Sequence, residues 1–304
     1  MYSFSTCWNS HRHTDGRAML AEIRNLGFEY AELSHGIRLS LVAGILDAVA
    51  AGEIKISTVH NFCPLPIGVD KPAPNLYEFT ASNARDRELA LKHTLKTFEF
   101  ARRVKASLVV LHLGSMELKD YGGKLEGLLE QGQKDSPAYR KLLAEAIAKR
   151  EAKKKTAVAH LYESLKFLVP EAEKSGLKLG CENREAVQEL PLESDFAGFL
   201  ADFPSLSVCY WHDCGHAQIK QNLGFIRHEE FLRSLAGRLA GLHIHDVRFP
   251  AMDHCPPGAG EVDFTALKPH VKPDHIKVFE LSPKVPVEAV HRGVAYLKGI
   301  WGGD

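Results

Sequence analysis

The segment LAGLHIHD, residues 239–246, starts as an apolar strand and ends in His243, His245 and Asp246. Side chains alternate faces along a strand, so the two histidines share one face and Asp246 takes the other. Other short runs rich in Val, Ile, Leu and aromatics close the same way, near Glu32 and at His60, His112, Glu182, Asp213 and Glu280. Burying acids and imidazoles unpaired is expensive, so they must satisfy one another, meet water or share a cation. Carboxylates with neutral imidazoles suit manganese, zinc or cobalt, whereas magnesium prefers more oxygen. Glu182, Asp213, His243 and Glu280 close four consecutive strands and can converge on one divalent ion, which no single element could arrange. His216, three residues after Asp213 in WHDCGH, and His254, in the loop MDHCPPGAGEVD, are further ligands or substrate contacts. His212 takes the face opposite Asp213 and is expected to pack elsewhere. Asp246 is expected behind the ligands, supporting them.

Those strand ends need a frame that gathers them. Strand candidates at 2–8, 28–34, 54–60, 106–112, 178–183, 206–213, 239–246 and 276–281 alternate with helical patterns such as 19–27, 41–52, 84–104 and 286–301. Strand then helix, repeated eight times, predicts an α/β fold, a (β/α)8 TIM barrel formed by residues 1–304 as one domain. Its C-terminal strand ends lie on one face, where such barrels carry their sites. Long loops at about 61–83 and 113–137 follow the third and fourth strands and should cover that face. The long charged pattern from Lys141 is expected to kink or divide at Pro170. No glycine-rich phosphate loop follows the first strand, against a dinucleotide-binding sheet.

The bulk composition excludes little. Lys plus Arg and Asp plus Glu are both 38, so the formal net charge is zero and nothing pulls the chain toward nucleic acid. The run KREAKKKTA reads as a solvated helix face. No apolar run reaches membrane-spanning length, and the start lacks a secretory pattern. Six cysteines, with no CxxC pair, read as free thiols of a cytoplasmic protein, those in or beside strands as small packed hydrophobes.

In this order the motifs resemble the xylose-isomerase-like barrels, which include sugar phosphate isomerases and epimerases, dehydratases and isomerases of inositol catabolism, and endonuclease-four-type apurinic endonucleases. The resemblance runs from STCWNS to VFELSP. It implies one divalent metal on Glu182 in CENRE, Asp213 in HDCGH, His243 in HIHD and Glu280 in FELSP. HCPPGAGEVD is similar to the H-x-P-P-G-x-G-x-x-D loop of the superfamily. The endonuclease branch implies up to three zinc ions, and its two early histidines match His60 and His112. The chain departs from that branch at Met252, where an Asp is expected and Asp253 stands one position on, and at Cys63, where an aromatic is expected.

The expected activity is therefore isomerisation or epimerisation of a sugar, sugar phosphate or keto-polyol through an enediolate, with Glu182 and Glu280 removing and returning a carbon-bound proton. His216 and His254 would hold substrate hydroxyls or shuttle a proton. Trp8, Asn9, Glu32, His60, His245 and Arg248 are expected to complete a carbohydrate pocket. Arg184, Arg248 and Lys277 are the cations to examine as a phosphate clamp. A multi-zinc phosphodiester hydrolase, a metal-dependent dehydratase and a non-catalytic binding protein are the alternatives. A homo-oligomer is compatible with all of them.

Overall fold

The structure is a computed structural model and describes residues 1–303. Eight parallel strands close into a barrel: β1 (Tyr2–Ser5), β2 (Tyr30–Leu33), β3 (Lys55–His60), β4 (Leu108–Leu111), β5 (Lys178–Glu182), β6 (Val208–Asp213), β7 (Leu239–Ile244) and β10 (Ile276–Phe279). They pair in chain order, and β10 closes the ring against β1.

The lumen explains why the strand ends are polar. Leu108, Val110, Trp211, Ile276 and Val278 form a buried apolar plug inside the barrel. Gly241 makes room for it, because a side chain there would come within 2.4 Å of the Trp211 ring. With a period of two, the next lumen-facing residue beyond Val110 is His112, beyond Trp211 is Asp213, beyond Gly241 is His243 and beyond Val278 is Glu280. An ionisable layer therefore caps an apolar one. The main apolar core lies outside the strands, between barrel and helices.

The surrounding helices are α1 (Gly16–Asn25), α2 (Val42–Ala50), α3 (Ala84–Arg103), α4 (Gly122–Glu130), α5 (Pro137–Lys174), α6 (Phe196–Asp202), α7 (Cys214–Asn222), α8 (His228–Leu235), α9 (Phe264–Leu267) and α10 (Val287–Trp301). A small antiparallel hairpin, β8 (Asp246–Arg248) and β9 (Met252–Cys255), follows β7.

Two departures from the sequence-based expectation, and one helix it did not foresee, bear on the site. The polar stretch 113–137 contains α4, whose Leu125 and Leu129 pack with Tyr121, Tyr139, Ile219 and Val247 in a satellite core. Its glycines and charges mask that spacing in the sequence. The segment after Asp213 is α7, started by the Asp213 carboxylate accepting from the His216 N–H at 2.7 Å. Finally, α5 runs unbroken through Pro170 to Lys174, because buried Leu165, Leu168 and Ala172 hold both sides of the proline against the core.

Candidate metal centre

Glu182, Asp213, His243 and Glu280 are all buried, and one ligand atom from each lies within 4.8 Å of the others. The His243 Nδ1 is 2.9 Å from Glu182 Oε1, 3.0 Å from Glu280 Oε2 and 3.6 Å from Asp213 Oδ2. One imidazole N–H can serve only one of these carboxylates well. Its far nitrogen, Nε2, sits 3.1 Å from Glu32 Oε2, and Glu32 in turn accepts from the Thr58 hydroxyl at 2.8 Å. Glu32 is thus no pocket residue but the carboxylate that orients the His243 ring, and it is fully buried.

The electrostatics leave a deficit of positive charge. Burial pushes the Glu182 carboxyl up, but Arg184, His112 and His243 outweigh it and hold it well below its ordinary value. Asp213 is likewise held down, against burial, by His216 and His245. Burial would push the His243 imidazole down, yet Glu280 and Glu32 carry it well above its ordinary value. Four buried carboxylates thus surround one imidazolium, with the Arg184 guanidinium 3.2 Å from Glu182 and shared with Glu189 at 3.1 Å. Three carboxylates and one imidazole nitrogen are the donor set of a tetrahedral or expanded divalent site, so the residues fit such an ion.

Two further histidines complete the wall. His112 Nε2 lies 3.0 Å and His60 Nε2 3.5 Å from Glu182 Oε2. Their other nitrogens, Nδ1, reach the Asn75 side-chain oxygen at 2.8 Å and the Asn61 carbonyl at 3.0 Å. His112 Nε2–H donates to that carboxylate, while His60 Nδ1–H donates to the Asn61 carbonyl and leaves its Nε2 facing the same oxygen. Burial and the Arg184 charge push the His112 imidazole down to about 4, so it is neutral at physiological pH.

The chain matches the sequence model of the xylose isomerase-like TIM barrel family over residues 20–298. It belongs to that family. No curated protein sequence matches it. Among solved structures, it is similar to a D-tagatose 3-epimerase-like protein, with a TM-score of 0.70, 17% identity and coverage of 98% of this chain and 96% of that one. It is also similar to the 3-keto-D-glucoside 4-epimerase of E. coli (TM-score 0.65, 14% identity, 98% of each chain). A third is the D-psicose 3-epimerase of Clostridium cellulolyticum (TM-score 0.67, 10% identity, 99% of each chain).

This xylose isomerase-like barrel builds its support around the quartet from motif residues. His245 accepts the His254 N–H on Nδ1 at 2.9 Å and donates from Nε2 to Asp213 at 3.0 Å, so it orients a carboxylate and does not line a pocket. A side chain at Gly215 would meet that ring at 2.0 Å, the physical reason for glycine in HDCGH. His254 stacks on His245 at 4.3 Å, with its backbone in the left-handed region at φ 51°. Burial works against its charge, but the neighbouring Asp253 carboxylate raises its imidazole to about 9. His216 approaches Asp213 at 3.4 Å and the Asn183 carbonyl at 3.1 Å.

Asp246 accepts four backbone N–H groups, from Val247, Gly258, Gly260 and Val262, all within 2.9 Å. It fixes the PPGAGEV loop and is not behind a ligand. His212 bonds the Tyr210 hydroxyl and His228 outside the lumen.

Trp8, Asn9 and Lys277 lie elsewhere, whereas Arg248 lines a cavity together with His254. Trp8 is 1% exposed, packs edge-on against Phe4 and donates to the Val285 carbonyl, so it offers no open face to a sugar. Buried Asn9 ties the β1–α1 connection to the Met19 carbonyl and Glu22. Lys277 pairs in register with Tyr2 at the start of β1, at the opposite end of the barrel from the quartet, and bonds the carbonyls of Pro273 and His275. Arg248 is exposed on the hairpin, its Nε on the Ala259 carbonyl at 3.1 Å. His35 was not among the expected residues. Its ring meets His60 at 4.9 Å, and its buried Nδ1 has no partner. The signal was its place just past the end of β2, in LSHG.

Proposed function

We propose that this chain is a divalent-metal-dependent isomerase or epimerase of a sugar, sugar phosphate or keto-polyol, working through an enediolate. The observation that carries this reading is the buried quartet of Glu182, Asp213, His243 and Glu280, short of positive charge at the C-terminal end of the barrel. Those four side chains would hold the ion. A divalent cation held there supplies Lewis-acid stabilisation to negative charge developing on the substrate's oxygens. Glu182 and Glu280 project from β5 and from the end of β10, either side of β7, and so can flank a carbon next to a carbonyl. One, as the carboxylate, takes the proton from that carbon. The other, as the acid, returns a proton to the opposite face, and the roles exchange in reverse. His254, paired with Asp253 at 2.8 Å, has a ring nitrogen within 4.8 Å of a Glu280 oxygen and could relay that proton through one bridging water. Glu32 and His245 act one layer out, fixing His243 and Asp213.

The test is exchange of a carbon-bound hydrogen. The manganese- or cobalt-loaded protein is incubated in deuterium oxide with a panel of ketoses, keto-inositols and their phosphates. The reading expects deuterium at the carbon next to the carbonyl, and no incorporation with Glu280→Gln. An absence of both exchange and turnover across the panel would overturn it.

One observation favours a second reading. The His60 and His112 Nε2 atoms converge with Glu182 Oε2 into a second group that could offer N, N and O donors, and Asp213, His216 and His245 form a third cluster. Two or three zinc ions bound there would suit a phosphodiester hydrolase. Abasic DNA and simple phosphodiesters test it. Hydrolysis dependent on His60 and His112 would replace the isomerase reading.

A further inference from the structure

A cavity of about 660 Å³ opens beside His254. Its walls are the β8–β9 hairpin, the turn Pro256–Ala259, the segment 282–286 and the first turns of α10. Its floor is tightly set. A side chain at Gly293 would come within 3.0 Å of Pro256 and Pro257, and one at Gly258 would meet the Tyr296 ring at 3.0 Å. The Asp246 carboxylate pins the same turn from below. This is a preformed cleft of the size that takes a small molecule.

His254 joins the cleft to the metal centre. It lines the cavity, and its donor atom lies within 4.8 Å of those of His245 and Glu280. Three permanent cations line the same cavity: Arg248, Lys284 and Arg292. The one carboxylate in the lining, Asp253, is engaged by His254 at 2.8 Å. Among the described residues, none of the three cations has a carboxylate partner. The chain as a whole has no net charge, so this is a local excess that bulk composition does not explain. Unpaired guanidinium and ammonium groups around a rigid cleft are the chemistry that recognises a phosphate or carboxylate.

We propose that this cleft is an anion-binding subsite. It holds the phosphate or carboxylate of a ligand whose carbonyl end reaches past His254 to the quartet. The proposal rests on the isomerase reading and narrows it to anionic sugars, a phosphate ester or a sugar acid.

Two measurements separate the failure of this proposal from the failure of that reading. The first is calorimetric titration of the metal-free full chain with inorganic phosphate at low ionic strength, where exposed cations are least screened. Phosphate should bind the wild type, and Lys284→Ala/Arg292→Ala should weaken it at least about tenfold. Arg292→Glu should do the same, while Arg233→Ala, a distant exposed cation, should not. The double variant's melting temperature confirms that it folds.

The second measurement compares kcat/KM for neutral ketoses, their terminal phosphates and the matching keto acids on the metal-loaded protein. A preference for phosphates or for acids, carried in KM and collapsing in the double variant, supports the site and names its source. Phosphate that fails to bind, or binds the double variant equally well, overturns the proposal even if neutral sugars turn over. Groove-dependent phosphate binding with no sugar turned over leaves the anion site standing and sinks the isomerase reading.

Discussion

Helix α7 joins two buried ionic clusters of opposite character. At its start, Asp213 belongs to the quartet, where carboxylates outnumber the cations that face them. Further along, Lys220 shares Glu193 with Arg150 from α5. Lys220 and Arg150 are 2% and 4% exposed, and both lie over the Phe225 ring, at 5.5 and 4.7 Å. Burial pushes Glu193 up, but the two cations outweigh it and hold it at about 2. The same burial, more than Glu193 can offset, pushes the Lys220 ammonium down. The second cluster supplies its own counter-charge and an aromatic face for the surplus. The first does not. In the second cluster each cation has the Glu193 carboxylate and the Phe225 face as partners, an arrangement complete without a further ion. Carboxylates left over around an imidazole are what a bound cation would neutralise, as proposed for the quartet.

That contrast can be broken from either side. The largest effect expected is on the quartet. Glu182→Gln removes a carboxylate shared by His243, His112 and Arg184, and should abolish stoichiometric divalent-ion binding, read by elemental analysis after dialysis. Near-wild-type metal content would remove the distinction between the clusters. Glu193→Ala should instead leave metal content unchanged and destabilise the fold by about 3–5 kcal/mol, because two buried cations lose their partner. Denaturant unfolding of the metal-free protein reads this directly. A cost within the range of ordinary surface substitutions would show that the second cluster is not closed by Glu193.

Gly215→Ala forces a methyl against the His245 ring and should cost about 1–3 kcal/mol while weakening metal binding, through the His245–Asp213 bond. Unchanged stability would mean that the helix start can shift away. Glu32→Gln should lower metal affinity by about 10–100-fold with little change in fold, as loss of an orienting carboxylate does.

The smallest effect is a pH window. The Glu193 carboxyl, ordinarily near 4.5, is held at about 2 when folded. Its stabilisation is therefore complete above about pH 4.5 and lost as pH falls toward 2. The stability difference between wild type and Glu193→Gln should shrink across that window. A difference that grows on acidification would contradict the sign.

Much of the site was legible because a strand's period of two is rigid: once the apolar plug residues are on the lumen face, the residue two positions later must be as well. That logic finds His112, Asp213, His243 and Glu280. It also places His60 and Glu182 at their strand ends. It says nothing about what lies one layer out. Glu32 looked like a pocket acid because its strand end was visible and its partner, His243 from across the barrel, was not. Trp8 and Asn9 sit beyond a strand end in the sequence, yet the chain turns there into a 3-10 segment and carries them into the core. Lys277 lies within a strand run, but its register with Tyr2 sets it at the far end. The cleft cations come from a hairpin, a loop and a helix, and no periodicity links them.

The central claim is that the quartet holds one divalent ion. Elemental analysis of protein purified without chelator or added metal, followed by titration with manganese, zinc and cobalt, tests it most directly. The account predicts one ion per chain in wild type and none in Glu182→Gln. Failure of the wild type to bind any divalent ion, even when titrated, would contradict it.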